Sequence, residues 1–225
     1  CIVYGASEFS RDIDILILAD PANLAALSAA LARLEATVIA VPPFEPQYLA
    51  RGHAVHFPCT AAGCAGIRLD VMARMRGVAR FEELWERRTS VATANAGRLD
   101  LLAVPDLVQS KKTQRDKDWP MIKALVEVDF LTHQAEATEA QSQFWLMECR
   151  TPELLIELTK RYPTLTARLV ASRPLLALAR DANATALEDR LAAEEQAVRD
   201  ADREYWQPLR EELEVCAAAE RNRTL

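Results

Sequence analysis

Ten residues near the start of the chain decide its fold: residues 9–18, with the sequence FSRDIDILIL. The second half of this stretch is an unbroken aliphatic run, which is typical of a strand buried on both faces. Side chains alternate along a strand, so Asp12 and Asp14 point one way while Ile13 and Ile15 point the other. Two like charges side by side are costly unless a cation neutralises them, and carboxylates are ligands for a hard divalent cation such as magnesium. The alternative is a solvated strand end whose acids keep the sheet edge soluble.

A second acidic strand is predicted at residues 67–72, where Asp70 stands between Leu69 and Val71. By alternation the two aliphatic side chains face the core and the carboxylate faces the other side. A two-metal phosphoryl-transfer site needs shared carboxylates to hold its ions about 3.5–4 Å apart, and a third acid on a neighbouring strand supplies one. The alternative is an acid facing solvent at a strand edge. The pair Asp12 and Asp14 favours the metal site.

A cationic segment, residues 104–118 with the sequence VPDLVQSKKTQRDKD, follows the third acid. On a helix Lys111, Arg115 and Asp118 would share one face, at positions i, i+4 and i+7. Lysine as a point charge and arginine as a planar fork suit the triphosphate of a nucleotide. The alternative is a solvated charged face with helix-stabilising pairs. The position of the segment, where the helical half of the chain opens, favours the nucleotide.

The remaining pattern predicts an α+β protein whose second half is helical. Asp20 is an N-cap acid and Pro21 suits the first helical position, so a helix begins there and ends near Leu34. All six glycines lie at or before Gly97, and the chain is helical by pattern from Pro105 onward. We also expect strands over residues 37–41, 53–57 and 67–73, a helix over 81–88, a strand pair over 89–104, and a last helix that Pro208 kinks or restarts.

Composition and charge exclude several function classes. Half of the 225 residues are hydrophobic and 27% are charged, which is ordinary for a soluble globular protein. The formal net charge of −6 does not indicate a constitutive nucleic-acid binder. No apolar stretch approaches the roughly 20 residues that span a bilayer, so we expect no membrane contact. The five cysteines, an odd number, indicate reduced thiols and a cytoplasmic protein.

One group of residues resembles a zinc site at first sight: His53, His56, Cys59 and Cys64. The two histidines have opposite parity on a strand, so they cannot point at one metal without a bulge. The two cysteines fall in a turn rich in alanine and glycine. We therefore do not predict zinc here.

Three features of the chain together resemble the nucleotidyltransferase superfamily to which DNA polymerase β belongs. They are Ser10-x-Asp12-x-Asp14, Asp70, and the pattern Lys-x3-Arg-x-Lys-Asp of residues 111–118. Within it they are most similar to bacterial AbiEii-like, toxin-type nucleotidyltransferases. The order supports this resemblance, because in haloacid dehalogenase phosphatases the aliphatic strand precedes the acids, and here it follows them. The resemblance covers roughly the first 130 residues. The superfamily places a Gly-Gly or Gly-Ser turn ahead of its acids, so we expect native residues upstream of Cys1.

The resemblance implies roles for individual residues. Asp12 and Asp14 would bind both Mg²⁺ ions, with Mn²⁺ as a substitute. Asp70 would complete the catalytic metal site and act as the base or orient it. Ser10 would contact a phosphate, and Asp118 would orient a cation or hold its helix against the site. The residues assigned to the nucleotide are Ser10, Lys111, Arg115, Lys117 and Asp118, with Lys112 as the alternative to Lys111.

The resemblance also implies a fold and a function. The fold is α+β, a small mixed β-sheet nucleotidyltransferase core over residues 1–130 flanked by helices, followed by an all-helical domain over 131–225. The function is metal-dependent transfer of a nucleoside monophosphate from an NTP to a hydroxyl or phosphate of a tRNA end, a protein or a small molecule. The main alternative is a catalytically inactive nucleotide-sensing or partner-binding module, whose helical domain contacts an antitoxin or a second copy of the chain. A weaker alternative is a metal-dependent phosphatase or nuclease.

Overall fold

Two small sheets and a series of α-helices make up the described part of the chain. A computed structural model describes residues 1–10, 12–94 and 97–224. Arg11, Leu225 and two residues of the segment expected to form a strand pair, Asn95 and Ala96, lie outside it. The fold is a mixture of α and β structure with a helical C-terminal region, which confirms the predicted α+β class. No described helix combines the length and the apolar character that crossing a membrane requires.

The elements follow one another in a simple order, with strands confined to the first half of the chain. The strands are β1 Asp12–Leu16, β2 Val55–Pro58, β3 Arg68–Met72, β4 Thr89–Thr93 and β5 Gly97–Leu101. The helices are α1 Pro21–Arg33, α2 Pro46–Arg51, α3 Phe81–Glu86, α4 Val104–Lys111, α5 Asp118–His133, α6 Glu139–Glu148, α7 Pro152–Arg161, α8 Pro163–Leu169, α9 Leu175–Arg180 and α10 Ala184–Thr224. A 3-10 turn, Gln134–Glu136, follows α5.

Most predicted elements form, because local signals define them. Asp20 caps α1 by accepting a hydrogen bond from the backbone N–H of Asn23 at 2.8 Å. The strand expected over residues 37–41 is wrong. Within it Ile39 N–H donates to the carbonyl of His56 at 3.1 Å, and the prolines that follow cannot donate to extend a ladder. Helix α10 runs through Pro208 as one helix, so this proline does not restart it, and the alternative expectation of a kink stays a prediction.

The chain divides into two compact units that are interleaved along the sequence. One unit comprises residues 1–8 and 107–203, and the other comprises residues 9–106 and 204–225. Helix α10 therefore contributes its first part to one unit and its last part to the other. The predicted boundary between an N-terminal core and a helical domain at residue 130 stays a prediction.

The unit of residues 9–106 and 204–225 contains a three-stranded sheet in the order β1-β3-β2. Strand β3 pairs with β1 in parallel and with β2 in antiparallel orientation. One face of this sheet is apolar and carries the core of the unit, because hydrophobic residues occupy every second position. The fully buried members of that core are Leu49, Val55 and Val71.

The last part of α10 belongs to the same unit and contacts the α2–β2 region. His53 is 1% exposed, and its Nε2 lies 2.7 Å from a carboxylate oxygen of Glu212. Arg51 forms an ion pair with the other oxygen of Glu212. The hydroxyl of Tyr48 lies 3.7 Å from Sγ of Cys216. The polar contacts of a buried histidine thus depend on residues more than 150 positions further along the chain.

The unit of residues 1–8 and 107–203 is helical. Its core contains Trp145, which is fully buried and packs edge-on against Phe130 with ring centroids 5.2 Å apart. The indole N–H of Trp145 donates to Asp129 at 2.7 Å, so its single polar group is satisfied. Arg173 is 3% exposed and donates to the carbonyls of Leu146 and Cys149, which lie at the end of α6.

Candidate active site

The three acids singled out by the sequence lie on one face of the β1-β3-β2 sheet. Asp14 and Asp70 are register partners across the parallel pair of β1 and β3, and Asp12 is the register partner of Arg68. Register partners place their side chains on the same face, with backbones roughly 5 Å apart. Leu69 and Val71 point to the opposite, apolar face, where both are buried. Two strands that are distant in sequence thus bring three carboxylates to one polar surface.

Arg68 binds the carboxylates of two of these acids. Its Nη2 donates to Oδ2 of Asp12 at 2.9 Å and to Oδ2 of Asp70 at 2.9 Å, and its Nε donates to Oδ1 of Asp70 at 2.7 Å. The pair with Asp70 is therefore bidentate, the geometry in which a guanidinium binds a carboxylate most strongly. The hydrogen bonds to Asp70 raise the pKa of Arg68 above its usual range, so the guanidinium stays charged.

His56 and Ser10 complete the polar surface. His56 is the register partner of Asp70 on β2, and its Nδ1 lies 2.7 Å from Oδ1 of Asp70. The hydroxyl of Ser10 donates to Oδ1 of Asp12 at 2.5 Å. Asp70 itself is almost completely buried, with 8% of its side chain exposed, whereas Arg68 and His56 are each more than 40% exposed. The two basic side chains supply Asp70 with the partners that a buried carboxylate requires.

The donor set suits a hard divalent cation, since such ions prefer carboxylate oxygens. Arg68 is a cation already held by two of the acids, which indicates that this surface favours positive charge. Among the described residues, however, no three His, Cys, Asp or Glu side chains are arranged to hold a metal ion. A metal ion would therefore have to take over the oxygens that Arg68 occupies. Asp12, Asp14 and Asp70 are the residues that would hold it.

Residues 107–118 of the cationic segment belong to the unit of residues 1–8 and 107–203, and the helix predicted through the segment is wrong. Helix α4 ends at Lys111 and α5 begins at Asp118, so the residues between them form a turn. Lys111, Arg115 and Asp118 therefore do not share a helix face. The predicted helix is broken between α4 and α5 by local hydrogen bonds that compete with helical ones. The hydroxyl of Thr113 donates to Asp118 and accepts from the backbone N–H of Arg115.

Asp118 holds this turn together. It is 1% exposed and accepts hydrogen bonds from the hydroxyl of Thr113 at 2.5 Å and from Nε of Arg115 at 2.7 Å. The indole of Trp119 donates to the carbonyl of Thr113 at 2.9 Å. Asp118 thus contacts one cation of the segment, Arg115, while its role in orienting a cation at the site stays a prediction. Its assignment to a nucleotide stays a prediction.

The lysines of the segment differ in their contacts. Lys112 lies 2.7–2.8 Å from both carboxylate oxygens of Glu148, and Gln109 donates to the same carboxylate. Lys111 is half-buried at the end of α4, and Lys117 is exposed. In the part of the chain that the structure describes, neither of these two forms an ion pair. The assignment of Lys111, Arg115 and Lys117 to the nucleotide stays a prediction.

Comparison of the chain with protein-family models, with curated proteins and with solved structures gives no match. The function therefore has to be argued from the geometry of the site.

Two residues of the acidic surface, Arg68 and His56, were not predicted as site residues. The signal for Arg68 was its position two residues before Asp70, because residues i and i+2 of a strand share a face. For His56 no such signal exists, since the pairing of β2 with β3 cannot be derived from either strand alone. His53, by contrast, binds Glu212, so the two histidines have different partners.

Proposed function

We propose that this chain is a metal-dependent nucleotidyltransferase, which moves a nucleoside monophosphate from an NTP to an acceptor hydroxyl or phosphate. The observation that carries the proposal is the arrangement of Asp12, Asp14 and Asp70 on one face of two paired strands. The parallel register places Asp14 beside Asp70, so acids that are 56 residues apart in the sequence can serve one site. The acceptor is a tRNA end, a protein or a small molecule.

The residues of the chain would divide the chemistry among them. Asp12, Asp14 and Asp70 would hold the Mg²⁺ ions, which when bound would neutralise phosphate charge and lower the pKa of a coordinated hydroxyl. Asp70, buried and in contact with His56, could accept a proton from the attacking hydroxyl, and the Nδ1–H of His56 would hold the carboxylate in position. Ser10 holds the carboxylate of Asp12 in place. The phosphate-binding roles of Lys111, Arg115 and Lys117 stay predictions.

A second candidate function is a catalytically inactive nucleotide-sensing or partner-binding module. The observation that favours it is the contact of Arg68 with both Asp12 and Asp70, because a fixed guanidinium can replace metal ions as the counter-charge. In that case the acids and Arg68 stabilise the sheet, and the protein acts through binding. An antitoxin or a second copy of the chain would then be the partner.

Label transfer from [α-³²P]NTP separates the two functions. Wild-type protein with Mg²⁺ or Mn²⁺ should label an acceptor in total cell RNA, protein or small-molecule extract. Asp14→Ala should abolish the labelling, because it removes a metal ligand from an exposed position without opening the core. Asp100→Ala is the matched control, since Asp100 is also an acid on a strand, and it should label like wild type.

Each result supports or contradicts one of the functions. Complete absence of label with every NTP, either metal and all three acceptor pools contradicts the transferase. Equal labelling by wild type and Asp14→Ala contradicts the assignment of the site. Release of phosphate or cleavage of RNA without any labelled acceptor supports the phosphatase or nuclease instead.

A further inference from the structure

We propose that Arg68 has two alternative anionic partners, the carboxylates of Asp12 and Asp70 on one hand and a phosphate group of a bound nucleotide on the other. This inference rests on the proposed function, since it assumes that the acids bind divalent cations. It assigns Arg68 a role as a phosphate-binding residue of the same site. Its consequence is that metal and nucleotide bind cooperatively.

The first step of the argument is competition for the same oxygen atoms. Arg68 uses Oδ2 of Asp12 and both carboxylate oxygens of Asp70. A divalent cation bound by these acids needs the same atoms, and it would be repelled by the guanidinium beside it. The guanidinium cannot escape this repulsion by losing its proton, since arginine stays charged in proteins. Metal binding therefore requires Arg68 to leave.

The second step is that Arg68 can leave without stranding a buried charge. Its side chain is 43% exposed, so it can turn away from the sheet into solvent. Asp70, which is 8% exposed, keeps its contact with Nδ1 of His56 when the guanidinium moves. Asp12 keeps its hydrogen bond from the hydroxyl of Ser10. Each carboxylate thus retains a partner other than Arg68.

The third step is the destination of the guanidinium. A phosphate group presents two oxygens with the spacing of a carboxylate, and arginine binds both anions in the same bidentate manner. A nucleotide phosphate held through metal ions at Asp12, Asp14 and Asp70 would lie near Arg68, because Arg68 contacts two of these acids. Nucleotide binding then stabilises the arrangement in which the acids are available to metal. By linkage the metal raises the affinity for nucleotide by the same factor.

Mn²⁺ binding to the protein, measured by electron paramagnetic resonance of the free ion and corrected for the Mn²⁺ that the nucleotide analogue binds in a protein-free titration, tests this coupling without any turnover. The proteins are wild type, Arg68→Gln and the matched control Arg98→Gln, each with and without a non-hydrolysable α,β-methylene NTP analogue. Arg98 lies two residues before Asp100 on β5 and pairs with it, so it repeats the spacing of Arg68 and Asp70 away from the site. Thermal unfolding of each variant establishes that it is folded.

We expect Arg68→Gln to bind Mn²⁺ about tenfold more tightly than wild type in the absence of the analogue, within the range of ordinary coupling between sites. The analogue should tighten Mn²⁺ binding to wild type by a similar factor, but have a smaller effect on Arg68→Gln. Arg98→Gln should behave like wild type in both conditions. Arg68→Lys should lie between wild type and Arg68→Gln, because lysine keeps the charge but cannot bind two oxygens in a fork.

The failure of this inference differs from the failure of the proposed function. If wild type and Arg68→Gln bind Mn²⁺ with equal affinity, and Asp14→Ala removes the binding from both, the metal site exists but Arg68 does not compete with the metal for the carboxylates. That result would overturn this inference alone. If Arg68→Gln binds Mn²⁺ more tightly than wild type, but the analogue tightens Mn²⁺ binding equally in both proteins, Arg68 does not move from the carboxylates to a phosphate of the nucleotide. If neither protein binds Mn²⁺ under any condition, the metal site is wrong and the inference falls with it.

Discussion

Replacement of Asp118 tests whether this residue acts through the structure of the turn between α4 and α5. Its carboxylate is buried and accepts hydrogen bonds from Thr113 and Arg115, and it stands at the first position of α5. Loss of the hydrogen bond from the hydroxyl of Thr113 should lower the free energy of unfolding by about 1.5–3 kcal/mol, since the acceptor is charged. The exposed Arg115 adds only about 0.5 kcal/mol, and the helix dipole adds a similar amount.

We therefore expect Asp118→Ala to lower the free energy of unfolding by about 3 kcal/mol. Asp118→Asn keeps an acceptor for Thr113 but loses the charge, so it should cost about half as much. Asp116 lies in the same turn, is 97% exposed and pairs with Arg199, so Asp116→Ala should lower the free energy of unfolding by no more than about 1 kcal/mol.

Urea denaturation followed by tryptophan fluorescence measures these differences, because Trp119 lies next to Asp118 and bonds to Thr113. The order expected is Asp118→Ala, then Asp118→Asn, then Asp116→Ala, from the largest loss to the smallest. If Asp118→Ala proves as stable as Asp116→Ala, then the turn does not depend on this carboxylate. The reasoning would then be refuted, and a direct role in ligand binding would become the better account of its burial.

Two further changes test other parts of the structure. Burial raises the pKa of Cys149 from 9.0 to about 11, so the stability that its neutral thiol contributes is complete below about pH 9 and is lost as the pH rises towards 11. Denaturation at about pH 8 and about pH 10.5 should show a loss of about 2 kcal/mol in wild type that Cys149→Ala lacks, and equal pH profiles would contradict this. Gly52 has a φ of +105°, and a Cβ there would lie 3.1 Å from the hydroxyl of Tyr205. Gly52→Ala should therefore lower the free energy of unfolding by about 1–3 kcal/mol. An unchanged midpoint of urea denaturation would contradict this, because it would show that the backbone relaxes.

The sequence predicted elements well where the signal is local. The cap and proline at Asp20 and Pro21 define the start of α1. The alternation around Asp70 correctly predicted that Leu69 and Val71 are buried, but it did not predict that Asp70 is buried as well, at 6% exposure. The strand expected over residues 37–41 failed because a strand needs a continuous ladder of hydrogen bonds with its partner. Ile39 N–H bonds to the carbonyl of His56 on β2, but the prolines that follow have no N–H to extend the pairing. The helix expected through residues 111–118 failed because charge spacing alone does not reveal that Thr113 and Asp118 bond to each other.

The acidic surface was predicted in part for the same reason. Parity along each strand placed Asp12 and Asp14 on one face, and Asp70 on the polar face of its own strand. The register that brings Asp14 beside Asp70 is a property of pairing between distant segments, which a single sequence does not fix. The i, i+2 spacing on β3 places Arg68 and Asp70 on one face, so the sequence permits their contact to be predicted. The charge pattern instead favours residues 104–118 as the source of the cations of the site.

The passage of α10 from one compact unit to the other has a consequence for how the molecule can be dissected. No single cut in the chain separates the units, because residues 204–225 complete the unit that begins at residue 9. A protease that cleaved after Arg203 would release the helical segment that carries Glu212, and His53 would lose the carboxylate it bonds. Residues 204–225 therefore belong, despite their distance in sequence, to the unit that carries Asp12, Asp14 and Asp70. A fragment ending at residue 130 would lack them.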